Sequence, residues 1–312
     1  MRTISRLLRS ATTTQYNTEA AHCKCAVSRL LFLGGLKMKT LYISDLDGTL
    51  LRSDETLSPF TVSTINSLVE RGMIFSYATA RSVHTARKVT SGLTSDIPVI
   101  VYNGTMIVNK MNSDGCSYML TNSFDKSIHK VITDLLANDI YPLVYSFSEG
   151  RERFSYVKSK CSEGMKLFLN TRKNDVRDNP VSCEEQLFEG DIFYITCIDE
   201  HSRLQAMHEK YRTAYRCIFD KDIYSKKQWL EILPQNASKA NAMLQLKKYL
   251  GCDRTVAFGD GKNDLDMFRA ADEAYAVENA CDELKTIADG IIESNDHDGV
   301  AKWLCKHYKN TE

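Results

Sequence analysis

Charge of neither sign predominates in this chain: Lys and Arg together number 40, as do Asp and Glu, for a net charge of zero. That balance argues against a dedicated nucleic-acid binder or a polybasic membrane binder. No apolar run reaches the ~20 residues of a membrane-spanning helix. The run Leu30-Leu31-Phe32-Leu33 is too short and badly flanked for one. The histidines His22, His84, His129, His201, His208, His297 and His307 have no zinc-ligand spacing. There is no Walker loop and no G-x-G-x-x-G after a strand. No Ser or Cys sits in a nucleophile-elbow context. Internal repeats and low-complexity segments are also lacking. The ten cysteines are mostly spread singly, many in apolar runs such as Ile195-Thr196-Cys197-Ile198. Cys23 and Cys25 have one residue between them, which is neither a zinc nor a redox spacing. The cysteines read as reduced, buried small hydrophobes of a cytoplasmic protein.

What is present suggests about two domains: 312 residues, 43% of them hydrophobic. Residues 1–37 differ from the rest, with six Lys or Arg, one acid (Glu19) and many Ser and Thr. They have the composition of a transit peptide. Alternatively Met38 is the true start, because Met38-Lys39-Thr40-Leu41 opens directly into a core strand. Either way, residues 1–37 are expected to be a disordered leader.

From Met38 a β-α-β-α-β rhythm predicts a doubly wound, mostly parallel sheet of α/β class. Strands are expected at 40–43, 74–78 and 98–102. A helix between them is capped by Ser58, with Pro59 as its first residue. The rhythm changes after that. Helices and strands from an amphipathic helix at 124–140 to a strand at 216–219 read as an inserted α+β cap over about 121–224. The stretch 172–185 reads as helix or loop. The core is then 38–120 together with 225–312. Its second part holds strands at 229–233, 255–258, 275–277 and 290–292. Asp298 is expected to cap the final helix. Trp229 and Trp303 read as core residues.

Ser44-Asp45-Leu46-Asp47-Gly48-Thr49-Leu50 carries the first chemistry. It follows an apolar strand, so Asp45 and Asp47 lie at a strand's carboxyl end, where open α/β sheets bind ligands. Two carboxylates so close repel each other unless a cation neutralises them. Oxygen ligands of this kind suit Mg²⁺. An aspartate beside Mg²⁺ can attack a phosphoryl group. The structural alternative is an acidic loop that caps the next helix. Gly259-Asp260-Gly261-Lys262-Asn263-Asp264 is a second acidic loop after a strand. Asp260 and Asp264 are candidates to complete a metal's oxygen shell, with Asn263 as a hydrogen-bonding partner, or else the loop is a tight turn. Lys239, opening a helix, suits a phosphate, although most single lysines are simply solvated. Thr79 offers its hydroxyl and backbone amide to phosphate, or caps a helix. Arg81 and the turn Asn103-Gly104 are candidates for substrate contact or ordinary surface features.

Taken in this order, the motifs resemble the haloacid dehalogenase superfamily of phosphohydrolases. Within it they resemble the Cof-type branch, whose α/β cap is inserted between the second and third motifs. The resemblance spans about Met38 to Tyr308. Asp45-Leu46-Asp47-Gly48-Thr49-Leu50 matches the first motif, and Ala78-Thr79-Ala80-Arg81 the second, with Ala80 where glycine is usual. Lys239 matches the third, followed by Ala240 rather than glycine. The second acidic loop is the fourth. Glu278-Asn279-Ala280 stands where Gly-Asn-Ala is usual, and the tail 294–301 also fits. The resemblance implies a Rossmann-like hydrolase core and a Mg²⁺-dependent phosphatase of small phosphorylated metabolites: sugar phosphates, pyridoxal phosphate or flavin mononucleotide. It implies Asp45 as nucleophile and Asp47 as general acid and base. It implies a metal held by Asp45, the carbonyl of Asp47, Asp260 and Asp264. Thr79, Lys239 and Asn263 would bind phosphate, and Arg81, Asn103 and Asn279 would lie near the substrate. Tyr145, Arg151, Arg153 and Tyr156 are candidate cap contacts. A phosphomutase on the same fold and a non-catalytic sensor are the rival readings. A P-type ATPase is disfavoured by Leu46 after Asp45.

Overall fold

The apolar run ahead of the first acidic motif forms β1 (Thr40–Ser44), with Leu41 and Ile43 fully buried. The computed structural model describes residues 38–94, 98–112, 115–148, 151–221 and 227–308. The leader expected over 1–37 lies outside them. After β1 the chain makes one wide turn, closed by the Leu51 amide donating to the Leu46 carbonyl at 2.8 Å. Gly48 takes φ +73° inside that turn, which a glycine adopts at little cost. Helix α1 (Pro59–Glu70) starts as expected, with the Ser58 hydroxyl accepting from the Thr61 amide. β2 (Ile74–Tyr77), α2 (Val83–Val89) and β3 (Val99–Val101) follow. A hairpin of β4 (Met106–Asn112) and β5 (Gly115–Thr121) then pairs with β3. The sequence pattern predicts no strands there.

The middle of the chain builds a second layer. It runs through α3 (Ile128–Ala137), β6 (Leu143–Ser148), β7 (Arg151–Val157), α4 (Glu163–Asn170), β8 (Asp178–Val181) and β9 (Asp191–Asp199). It continues through α5 (His201–Tyr211), β10 (Arg216–Lys221) and β11 (Gln228–Leu233). Its sheet has the order β10-β11-β9-β6-β7-β8 and is antiparallel except where β8 joins β7. The stretch read as helix or loop at 172–185 thus contributes a strand. β11 also departs from expectation, because it pairs with β9 and β10 and not with the parallel sheet. The reason lies in Trp229-Leu230-Glu231-Ile232. Leu230 and Ile232 bury into this layer's own apolar cluster, while Trp229 and Glu231 alternate to the other face. A central parallel strand is covered on both faces and has no place for that glutamate.

The chain closes with α6 (Lys239–Leu250), β12 (Arg254–Gly259), α7 (Leu265–Ala270), β13 (Glu273–Val277), α8 (Asp282–Ile287), β14 (Gly290–Ile292) and α9 (Gly299–His307). Gly251, at φ +62°, stops α6. Asp298 is left-handed and does not cap α9 with its side chain. Its carboxylate instead accepts from Arg52 at 2.8 Å and from the Thr61 hydroxyl at 3.3 Å. Trp303 packs on Tyr42, Phe258 and Tyr275 as a core residue.

The main sheet is parallel, in the order β14-β13-β12-β1-β2, and β3 adds a single parallel bridge between Ala78 and Ile100. The chain winds from β1 to one side and later returns at β12 on the other. The switch point is therefore between β1 and β12, and an open parallel sheet presents its crevice there.

The two layers meet at Tyr102. Tyr102 and Asn103 both take positive φ, +51° and +53°, a conformation that bulky residues rarely hold without surrounding constraint. The Tyr102 ring sits 5.3 to 5.8 Å from the rings of Phe193, Tyr194 and Tyr145. Its hydroxyl donates to Glu152 and accepts from Arg177 at 2.7 Å. Arg177 also pairs with Glu152 at 2.8 Å and Asp175 at 2.6 Å, and all three side chains are buried. Removing one member of a buried ionic cluster strands the others. Arg177→Met is expected to destabilise the fold by about 3 kcal/mol, read from the midpoint of denaturant unfolding; an unchanged midpoint would contradict the assignment. Among the described residues no helix is long and apolar enough to cross a membrane.

Candidate active site

β1 and β12 run in register, Ser44 beside Phe258, so both acidic loops leave the sheet side by side. The ladder extends one residue further, with the Asp45 amide donating to the Phe258 carbonyl at 2.9 Å. This fixes the backbone of Asp45, a residue only 4% exposed. Carboxylate oxygens of Asp45, Asp260 and Asp264 lie within 4.8 Å of one another. Lys239, at the first position of α6 with Ser238 as its cap, is inserted among them. Its ammonium donates to Asp45 Oδ1 and Asp264 Oδ1, both at 2.8 Å. The other oxygen of Asp264 accepts from the amides of Asp260 and Gly261 at 3.1 Å. Asp264 is thus both a clamp on its own loop and a partner of Lys239.

The electrostatics follow from burial. Burial pushes the Asp45 carboxyl well above the usual carboxylate range; Lys239 opposes this, and Asp264 and Asp260 add to it. Burial, then Asp264, pushes Asp260 up to about 6. Burial alone would lower Lys239, but Asp264 and Asp45 outweigh it and hold the ammonium charged. Three carboxylates beside one ammonium leave two negative charges uncompensated. Oxygen donors with that deficit fit a hard divalent cation.

Close approach explains two glycines. A side chain at Gly48 would place its Cβ 2.4 Å from Asp260 Oδ2, and one at Gly259 would meet Asp264 Oδ2 at 2.7 Å. Thr49 donates its hydroxyl to Asp260 Oδ1 at 3.1 Å, a contact the sequence reading missed although Thr49 sits inside the motif.

Asp47 does not join the cluster with its carboxylate. Arg81 holds it through Nε at 2.8 Å and also through Nη2, and Nη2 reaches Glu55 Oε2 at 2.6 Å as well. Arg81 is therefore a partner of Asp47 at the rim. Thr79 is fully buried. Its amide already donates to the Ile100 carbonyl at 3.0 Å, so the expected offer of that amide to phosphate does not hold. Its hydroxyl oxygen accepts from the Arg81 amide at 3.1 Å, which leaves the hydroxyl proton. Asn279 is a strut: it donates to the Gly48 carbonyl at 2.7 Å and accepts from the Asn295 amide at 3.1 Å.

Asp45, Asp47, Asp260, Asn263, Asn103 and Asn279 all border one cavity of about 1050 Å³. An adjoining recess of about 200 Å³ reaches Lys239. The opposite wall comes from the second layer: Ile218, Asp220 and Lys221 on β10, and Trp229 and Glu231 on β11. Tyr145, Arg151, Arg153 and Tyr156 are absent from it. Tyr145 and Tyr156 are instead buried in the aromatic cluster, and Arg153 donates to Asn179. Trp229 is a wall residue as well as a packing one. These wall positions lie on strands of the second layer, and only the interruption of an apolar run by Glu231 could have marked them.

The model of the family described as haloacid dehalogenase-like hydrolase matches residues 42–304. A Bacillus subtilis protein named 5-amino-6-(5-phospho-D-ribitylamino)uracil phosphatase YwtE is 28% identical over 288 residues, covering 86% of this chain and 97% of that protein. A second B. subtilis phosphatase of the same description, YitU, is 22% identical and covers 85% of this chain and 96% of its own length. The crystal structure of TM0651 from Thermotoga maritima superposes with a TM-score of 0.72 at 21% identity, covering 88% of this chain and 98% of that one.

Proposed function

Because the chain belongs to the haloacid dehalogenase-like hydrolases, we propose that Asp45 is the nucleophile of a Mg²⁺-dependent phosphomonoesterase. At the coarser level the chain is a phosphatase of phosphorylated small molecules, like its relatives. The observation that carries the finer reading is the buried Asp45 carboxylate, held by Lys239 at the switch point and facing the cavity.

Asp45 attacks phosphorus in line, and the bond to the leaving oxygen breaks as an aspartyl-phosphate forms. Asp47 gives that oxygen its proton, then takes one from the water that cleaves the acyl phosphate. For this, one Asp47 oxygen must leave Arg81. Lys239, Asn263 and the hydroxyl of Thr79 hold the phosphoryl oxygens. Asp45 and Asp260 would hold the metal, with Asp264 directly or through water and the Asp47 carbonyl completing the set. When bound, the ion neutralises the carboxylates and polarises the phosphoryl group. The domain reading supported here is a core interrupted by a cap that walls the cavity. A cavity of about 1050 Å³ has room for the substrate classes named above, sugar phosphates, pyridoxal phosphate and flavin mononucleotide. The cysteines spread singly along the sequence support a cytoplasmic location.

The test is phosphate release from a panel of phosphomonoesters with Mg²⁺ and after chelation. Chelation is expected to lower the rate by about a hundredfold or more. Release that persists undiminished without divalent metal would overturn the metal assignment, and no release from any ester would overturn the hydrolase.

A further inference from the structure

We propose that Glu231 is the specificity-determining residue of the cavity, accepting hydrogen bonds from hydroxyl or amino groups of the leaving group and rejecting leaving groups that carry a second anion. This rests on the phosphatase reading, since it places the phosphoryl group at Asp45.

Three observations support it. First, Glu231 is presented to the cavity by strand alternation, with Trp229 beside it, while Leu230 and Ile232 anchor the opposite face. Its cross-strand neighbour on β10 is Ile218, and that of Trp229 is Asp220. The wall is therefore apolar surface interrupted by two carboxylates, with Lys221 at the end of β10. Second, no cation pairs with Glu231 among the described residues; its hydrogen-bond partner is the Tyr194 hydroxyl. Burial, with Asp220 adding to it and Tyr194 opposing it, pushes Glu231 up to about 7. A half-buried carboxyl left with a single protein donor has acceptor capacity to spare. Third, Asn103 also borders the cavity at 4% exposure, and its Oδ1 is buried with no partner. Its amide nitrogen points to Tyr194 at 3.5 Å. Two unfilled acceptors, one on each layer, are thus tied to the same tyrosine. A ligand bearing donors satisfies both. A ligand bearing a carboxylate or second phosphate meets like charge in a desolvated site, which is costly.

The test compares ribitol 5-phosphate with 3-phosphoglycerate, two phosphomonoesters of similar size that differ in donors against an anion. The wild-type kcat/KM ratio is expected to favour the polyol by about a hundredfold, since leaving buried polar groups unpaired discriminates strongly. Glu231→Ala is expected to lower that ratio about tenfold or more, and Glu231→Gln, which keeps an acceptor oxygen, by less. A ratio taken within one preparation is insensitive to the fraction folded. Binding of the same two esters to Asp45→Asn, by calorimetry, reads the preference without turnover. If acetyl phosphate and both esters go unhydrolysed while the polyol ester still binds about tenfold better than the acid, the phosphatase reading fails and Glu231 is left as a determinant of binding alone. A wild-type ratio near one, or a ratio unmoved in Glu231→Ala, overturns it.

Discussion

Asp45→Asn is expected to lower phosphate release by a factor on the order of 10⁴ or more, as loss of a covalent nucleophile does in other enzymes. The carboxamide has the shape of the carboxylate and its oxygen can still accept from Lys239, which now sits 2.8 Å away. What disappears is the anionic oxygen that attacks phosphorus, because an amide oxygen is a poor nucleophile. The variant should nevertheless fold. It removes one negative charge from a buried cluster that carries two in excess of Lys239, so the metal-free protein should unfold at the wild-type temperature or above it. Steady-state phosphate release beside thermal unfolding in a chelator separates the two effects. Activity within tenfold of wild type would sink the nucleophile assignment.

Lys239→Met should act in the opposite sense on stability. Lys239 is 2% exposed and bonded to two carboxylates that are themselves buried. Removing it leaves Asp45 and Asp264 facing each other with no cation, a loss of about 3 to 5 kcal/mol by analogy with other broken buried ion pairs. Mg²⁺ should restore part of that loss, since it supplies charge to the same oxygens. The shift in unfolding temperature on adding Mg²⁺ should therefore be larger in the variant than in wild type. Turnover should fall about a hundredfold or more even at saturating metal, because a contact to the phosphoryl oxygens is gone. Lys239→Arg is not expected to rescue it, as a planar guanidinium needs room that this site lacks. A variant as stable as wild type in chelator would show that the three carboxylates do not share their charge as described.

The legible part of this protein was the part whose chemistry is local. Strand, acidic pair and glycine follow one another within ten residues at both loops, so β1, β12 and the carboxylates could be read directly. Ser58-Pro59 marked a helix start because capping needs only neighbours. Long-range pairing was not legible in the same way. β11 reads as an apolar strand in isolation, and whether it joins a parallel or an antiparallel sheet depends on partners at 195–199 and 216–221. Thr79 illustrates a further limit. Its residue type suits phosphate, but whether its amide is free depends on the carbonyl of Ile100, brought in by a different strand. The cap-side wall was misassigned to Tyr145, Arg151, Arg153 and Tyr156 for the same reason. Polar and aromatic residues are common along 145–156, and only the tertiary packing shows that the tyrosines fill the aromatic cluster.

Gly104 and Ser238 stand at opposite ends of the interruption in the core, yet a Cβ on Gly104 would come within 2.1 Å of the Ser238 carbonyl oxygen. To the parallel sheet, the roughly 130 residues between them are one loop whose ends already touch. The entropy of closing such a loop grows only with the logarithm of its length, so it exceeds that of a ten-residue connection by about 2 kcal/mol. An insertion that folds on itself and returns to its starting point can therefore change in sequence and size with little effect on the stability of its host. The same closeness ties the return point to Lys239, the next residue along, so the second layer hands the chain back to the core beside the buried ammonium.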